Sequence, residues 1–170
     1  MRRIAVLGGT GFVGTALVSR LAAAGHELRV LTRDPSNGRS FAVLPTVRML
    51  QTDVHEESAL RAAFTDCDTV VNLVGILNEK GFAGAGFTRA HAELARKTVA
   101  AAAASGVSRL LHMSALGADV NGPSKYQRTK GAAEALVRAS SLDWTIFRPS
   151  VIFGAGDSFM NRFAGLLRLS

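Results

Sequence analysis

Tyr126 and Lys130 stand four residues apart in Lys125 to Ala139, a stretch whose composition predicts a helix, so their side chains share a face. A phenol near pKa 10 is a poor acid or base at neutral pH. A neighbouring ammonium stabilises the phenolate and lowers that pKa. Ser114 follows the apolar segment Ser108 to Met113 and adds a hydroxyl that could orient a substrate oxygen. The three residue types suit the transfer of a proton to or from such an oxygen. Taken alone, they equally describe an exposed helix face and a turn serine. The start of the chain decides between these readings.

That start is Ile4-Ala5-Val6-Leu7, an apolar run cut off by Gly8-Gly9-Thr10-Gly11-Phe12-Val13-Gly14 and followed by a helical pattern whose apolar residues are Phe12, Leu17, Val18 and Leu21. Strand, glycine turn and helix form the setting in which such a motif indicates dinucleotide binding. Glycine permits positive φ and close approach of the backbone to a ligand. The helix that follows presents unpaired N–H groups and a positive dipole end to a pyrophosphate. Gly8, Gly11 and Gly14 fit GxxGxxG, and Gly9, Gly11 and Gly14 fit GxGxxG; Thr10, Phe12 and Val13 complete the turn. An ordinary strand–turn–helix could carry the same glycines for packing, but here both flanks are correct. A dinucleotide bound at this turn would bring an oxidised, positively charged nicotinamide towards Tyr126. That charge would reinforce Lys130 in lowering the phenol's pKa while a hydride moves at the substrate carbon.

A second strand is predicted at Glu27 to Thr32, ending about 20 residues past the motif, where such folds meet the adenosine ribose. An acid there would bind the 2′-OH of NAD. The sequence has Arg33, whose guanidinium pairs well with a 2′-phosphate, so NADP(H) is preferred, with NAD(H) as the alternative. Asp34 competes with that preference by one residue, and a solvated Arg33 would look the same. Val47 to Gln51 is a third strand. Asp53, with Val54, could meet the adenine, cap the helix predicted at Glu56 to Phe64, or do both. Asp68 to Gly75 reads as a fourth, fully covered strand, whose end, Leu73, Val74 and Gly75, would run beside the cofactor.

The bulk properties narrow the class. Hydrophobic residues make up 48% of 170, which excludes a disordered chain and suffices for one domain with a core. No apolar run approaches the ~20 residues of a membrane helix. Arg2 and Arg3 lead straight into a strand, so a secretory leader is not expected. Cys67 is the lone cysteine and fits a reducing cytoplasm. No metal site is expected. The net charge of +7 comes from singly scattered basic residues without a stripe or interleaved aromatics, which argues against nucleic acid as a partner and for solubility and attraction of an anionic cofactor.

Further along, Asn78 to Gly86 is expected to be a loop, Phe87 to Ser105 a long alanine-rich helix, Ser108 to Met113 a fifth strand and Trp144 to Arg148 a sixth, stopped by Pro149. Pro35 to Ser40 reads as a turn-rich loop. The alternation predicts an α/β fold, a doubly wound parallel sheet of Rossmann type in the order 3-2-1-4-5-6. Met160, Phe163, Ala164 and Leu167 are spaced as one face of a final helix, an apolar face expected to promote self-association.

The glycine turn, Ser114 and Tyr126-x-x-x-Lys130 resemble the short-chain dehydrogenase/reductase superfamily, in its extended or atypical branch. His112 to Ala118, Tyr126 to Glu134 and Arg148 to Gly154 are similar to the NAD(P)H-binding accessory subunits of respiratory complex I and their bacterial epimerase-like relatives. The resemblance implies that Ser114, Tyr126 and Lys130 are catalytic and that Lys130 also reaches the nicotinamide ribose. It implies too that Pro149, Val151 and Ile152 line the nicotinamide side. It places His91 where the superfamily often carries a catalytic Asn, which changes the proton relay. In extended members the part that selects substrate lies beyond the sixth strand. The resemblance therefore implies that residues 1 to 170 form a cofactor-binding domain of a longer protein, with the substrate unread. Two functions follow: a cytoplasmic oxidoreductase or epimerase, or a non-catalytic cofactor-holding subunit associated peripherally with a membrane complex.

Overall fold

A computed structural model describes residues 1 to 78, 84 to 154 and 157. Six parallel strands form one sheet: β1 (Arg3–Leu7), β2 (Glu27–Thr32), β3 (Val47–Gln51), β4 (Thr69–Asn72), β5 (Arg109–Met113) and β6 (Asp143–Phe147). Their order is β3-β2-β1-β4-β5-β6, as expected. Leu7 is registered between Leu31 of β2 and Asn72 of β4, so the ends of these three strands reach one edge together.

Alternation along β1 divides the core. Ile4 and Val6 face Val18 of α1 (Phe12–Ala23), with Leu28, Val30 and Phe41. Ala5 and Leu7 face the other side, built by α2 (Glu57–Phe64), α4 (Leu94–Ala104) and α5 (Lys125–Arg138) through Leu60, Phe64, Leu94 and Val137. Helices therefore cover both faces, and the chain changes direction between β1 and β4. In open α/β sheets the ligand crevice lies at the carboxyl ends of the strands at that point.

Several elements differ locally from the sequence reading. The fourth strand stops at Asn72 rather than Gly75, because the Asn72 side chain accepts the Val74 N–H at 3.1 Å and turns the backbone out of the sheet. Pro35–Phe41 is a 3-10 helix capped by Asp34, which accepts the Ser36 N–H at 2.9 Å. Those hydrogen bonds from Ser36 hold the Asp34 carboxyl below the usual carboxylate range and commit it to the backbone. Asp53 does not cap α2. It closes a short turn by accepting the His55 N–H at 2.9 Å, and Glu56 stands at the cap position. The long helix begins earlier and is not uniform: α3 (Ala85–Thr88) runs into a π-turn at Arg89–Glu93 and then α4. Phe12 is exposed, leaving Gly14 and Val18 as the buried face of α1. The expected helix with Met160, Phe163, Ala164 and Leu167 lies outside the described residues. Among those described, no helix is long and apolar enough to cross a membrane, and no cluster of His, Cys, Asp or Glu could hold a metal.

Helix α5, which carries Tyr126 and Lys130, starts with a reciprocal cap. Ser124 Oγ accepts the Gln127 N–H at 3.1 Å while Gln127 Oε1 accepts the Ser124 N–H at 3.2 Å. A cap of this kind is worth about 1 kcal/mol and fixes where the first turn begins, hence where Tyr126 sits.

Candidate cofactor and hydride-transfer site

A cleft of about 640 Å³ opens at the expected edge, walled by four strand ends. Gly8, Gly11, Phe12, Val13 and Gly14 line it after β1; Leu73, Gly75, Ile76 and Leu77 after β4; Met113 to Leu116 after β5; and Pro149 to Ile152 after β6. Tyr126 and Lys130 enter from α5, and Asp157 completes the lining.

The glycine turn sorts the two sequence registers. Gly8 adopts φ +77°, and a Cβ on Gly14 would lie 2.2 Å from the Gly8 carbonyl oxygen, so helix and turn meet backbone to backbone. Gly9 faces the core, where a Cβ would press on Val30 at 2.8 Å. The cleft therefore follows GxxGxxG. Gly11 caps α1 without any side-chain bond, and the first turn holds no acid, so the leading N–H groups are left for an anion. That cradle fits a dinucleotide pyrophosphate.

Of the other residues singled out in the sequence, Thr10, Arg33, Asp53, Val54 and Val74 do not line the cleft. Val74 packs against the core. Arg33 and Asp53 are exposed just past β2 and β3, on the edge that continues from the glycine turn.

Around Lys130 the geometry is specific. Its Nζ donates to the Met113 carbonyl at 3.1 Å, and the residue is 4% exposed. Burial lowers its pKa to about 8, against a partial upward pull from Glu134. A Cβ on Gly75 would come to 3.1 Å from Nζ, a tight contact that the ammonium would have to yield to. Tyr126 is half-buried, its ring edge-on to Phe87 and His91. Burial raises its pKa, so in the protein alone the ammonium does not lower it as the sequence suggests. Ser114 is 3% exposed, and its Oγ forms no well-aligned hydrogen bond, although it sits near enough to Glu134 to help depress that carboxyl. The hydroxyl is enclosed rather than presented to the cleft.

One cluster escaped the sequence reading. Glu134, 2% exposed, is held bidentately by Arg148 through Nε at 2.8 Å and a terminal nitrogen at 2.6 Å, and by Arg138 at 3.0 Å. Burial alone would raise its pKa; the two guanidiniums overcome this and hold it at about 2. The clamp joins α5 to the residue before Pro149 and so fixes the wall from Pro149 to Ile152. Lys130 and Glu134 are four apart on one helix, which was legible; the link to Arg148 was not.

Comparison with known proteins agrees with this geometry. Residues 8–157 match the NAD(P)H-binding family. The chain is 31% identical over 163 residues to the mouse (Mus musculus) protein NADH dehydrogenase [ubiquinone] 1 alpha subcomplex subunit 9, mitochondrial, covering 94% of this chain and 43% of that one. It is 33% identical over 156 residues to the ceramide reductase of Caulobacter vibrioides, covering 91% and 48%. It thus spans less than half the length of these relatives. The Bordetella bronchiseptica enzyme WbmG in complex with NAD superposes with TM-score 0.81 at 21% identity, over 99% of this chain and 60% of that one, which shows a shared fold. The chain belongs to the NAD(P)H-binding family.

Proposed function

We propose that the chain is the cofactor-binding part of an NADP(H)-dependent oxidoreductase or epimerase in which Tyr126 moves the proton. The observation that carries this reading is the presence of Tyr126 and Lys130 in the same cleft as the glycine cradle. When bound, the cofactor supplies or accepts the hydride. The first-turn N–H groups of α1 hold its pyrophosphate, and Arg33 meets a 2′-phosphate. Lys130, already beside the cleft, holds the ribose and steadies a phenolate at Tyr126. The segment from Pro149 to Ile152 would lie along the nicotinamide side. Ser114 contributes only after its hydroxyl turns out towards the cleft.

The enclosed Ser114 hydroxyl favours a second reading, a cofactor-holding subunit without turnover. The mouse relative, named as a subunit of NADH dehydrogenase, supports it.

Calorimetric titration tests the cofactor assignments. Gly11→Val should abolish NADPH binding yet leave the fold intact. Gly11 has φ −79° and ψ 177°, which valine tolerates, and a Cβ there meets only the Gly8 oxygen at 3.3 Å. Unchanged affinity would remove the pyrophosphate from this turn. Wild-type protein should bind NADPH about tenfold more tightly than NADH, and Arg33→Ala should erase most of that difference. Equal wild-type affinities would remove Arg33 from the site.

A further inference from the structure

A single π-turn within an α-helix is rare and is found frequently at functional sites. The turn at Arg89–Glu93 has His91 at its centre, 2% exposed. His91 Nε2 accepts the Ile76 N–H at 3.2 Å, so the ring proton is assigned to Nδ1. Nδ1 lies 2.9 Å from Thr129 Oγ1. The Thr129 hydroxyl in turn has the Lys125 and Tyr126 carbonyls at 3.0 and 3.1 Å, so it donates to the backbone and accepts from His91. The imidazole also packs edge-on to the Tyr126 ring at 5.4 Å and stacks on Phe87 at 5.7 Å.

We propose that His91 is a positioning residue, which pins the Gly75–Ile76 wall of the cleft to the turn of α5 bearing Tyr126 and takes no proton itself. An acid–base histidine needs a nitrogen directed at the reacting group, and here one nitrogen is held by the Ile76 N–H and the other by Thr129, with neither facing the cleft. Burial, with the Lys130 charge and His112 as further facing groups, keeps the ring neutral until about pH 4. The expected change of proton relay at this position is thereby replaced by a mechanical role. His91 holds Tyr126 at a fixed distance from the wall against which Lys130 closes. The inference rests on the proposed part of Tyr126, and the test separates the two.

Tyr126 is the only tyrosine in the 170 residues, so phenolate absorbance reports it alone. In wild-type protein, NADP⁺ should lower its titration midpoint. His91→Phe keeps a ring beside Tyr126 but loses both hydrogen bonds. Its midpoint without cofactor should fall back towards the ordinary tyrosine value, as water reaches the phenol. Most of the shift caused by NADP⁺ should vanish, while NADP⁺ affinity changes less than about threefold. His91→Gln, which can both accept and donate, should restore the wild-type behaviour. Thr129→Val removes one end of the bridge and should give an intermediate result; it carries the test if His91→Phe fails to fold. A His91→Phe or Thr129→Val protein with the wild-type midpoint and shift overturns the positioning role. Absence of any NADP⁺ effect in the wild type overturns the part proposed for Tyr126 instead.

Discussion

Tyr126→Phe should lower turnover by about 10²- to 10⁴-fold, the usual contribution of a positioned acid or base, while leaving NADPH affinity nearly unchanged. The phenol oxygen has no hydrogen-bond partner among the described residues, so its removal strands no buried group and stability should change by under about 1 kcal/mol. The ring contacts with Phe87 and His91 survive in phenylalanine. Loss of rate without loss of affinity or fold would place the proton on Tyr126. The measurement is a steady-state assay of wild type and variant against a panel of carbonyl compounds and sugar nucleotides, with calorimetry alongside. A variant that turns over normally would move the chemistry elsewhere and strengthen the cofactor-holding reading.

Arg148→Met should destabilise the protein at neutral pH, read as a lower urea midpoint. Removing Arg148 leaves the buried Glu134 carboxylate without its main counter-charge. The loss is partial, because Arg138 still touches Glu134 and because both guanidiniums are about half exposed and partly screened. The pH dependence has a definite sign. Glu134 is depressed from its ordinary 4.5 to about 2 in the fold, so its stabilisation is complete above about pH 5 and is lost as pH falls through 2. The gap between wild type and Arg148→Met should therefore narrow on acidification. A gap that stays constant from neutral to acid pH would mean that the lost stability comes from packing of the Arg148 stem. Because Arg148 precedes Pro149, cofactor affinity should fall in the same variant.

Much of this fold was legible because its signals are local. Ile4 to Leu7 and the glycines after it announce a strand end, a tight turn and a helix start within eleven residues, and each has one cheap structural solution. Tyr126 and Lys130 lie within one turn of a helix, so their shared face needs no tertiary knowledge. What escaped depends on distance in the chain or on a choice among equals. Glu134 meets Arg148 across a helix, a turn and a strand, and nothing in twenty basic residues marks Arg148 as its partner. Asp53 could serve a helix or a turn with the same carboxylate, and Asn72 ends a strand through a bond to a backbone two residues on. The π-turn has no composition of its own. Ala-rich sequence predicts an unbroken helix, and only the Ile76 N–H and Thr129, held by other segments, show why His91 is drawn out of the regular repeat.

The contact between Gly14 and the Gly8 carbonyl has a consequence for how the protein responds to its surroundings. The anion seat it creates is made of main-chain N–H groups, which carry no ionisable proton and have no rotamers to lose when a ligand arrives. The grip at that end should hold constant over the pH range in which the fold persists. The far end differs, because Lys130 gives up its charge near pH 8. A mildly alkaline solution would therefore leave the dinucleotide anchored by its phosphates while its reactive ring loses a guide, separating retention of the cofactor from its alignment within one molecule.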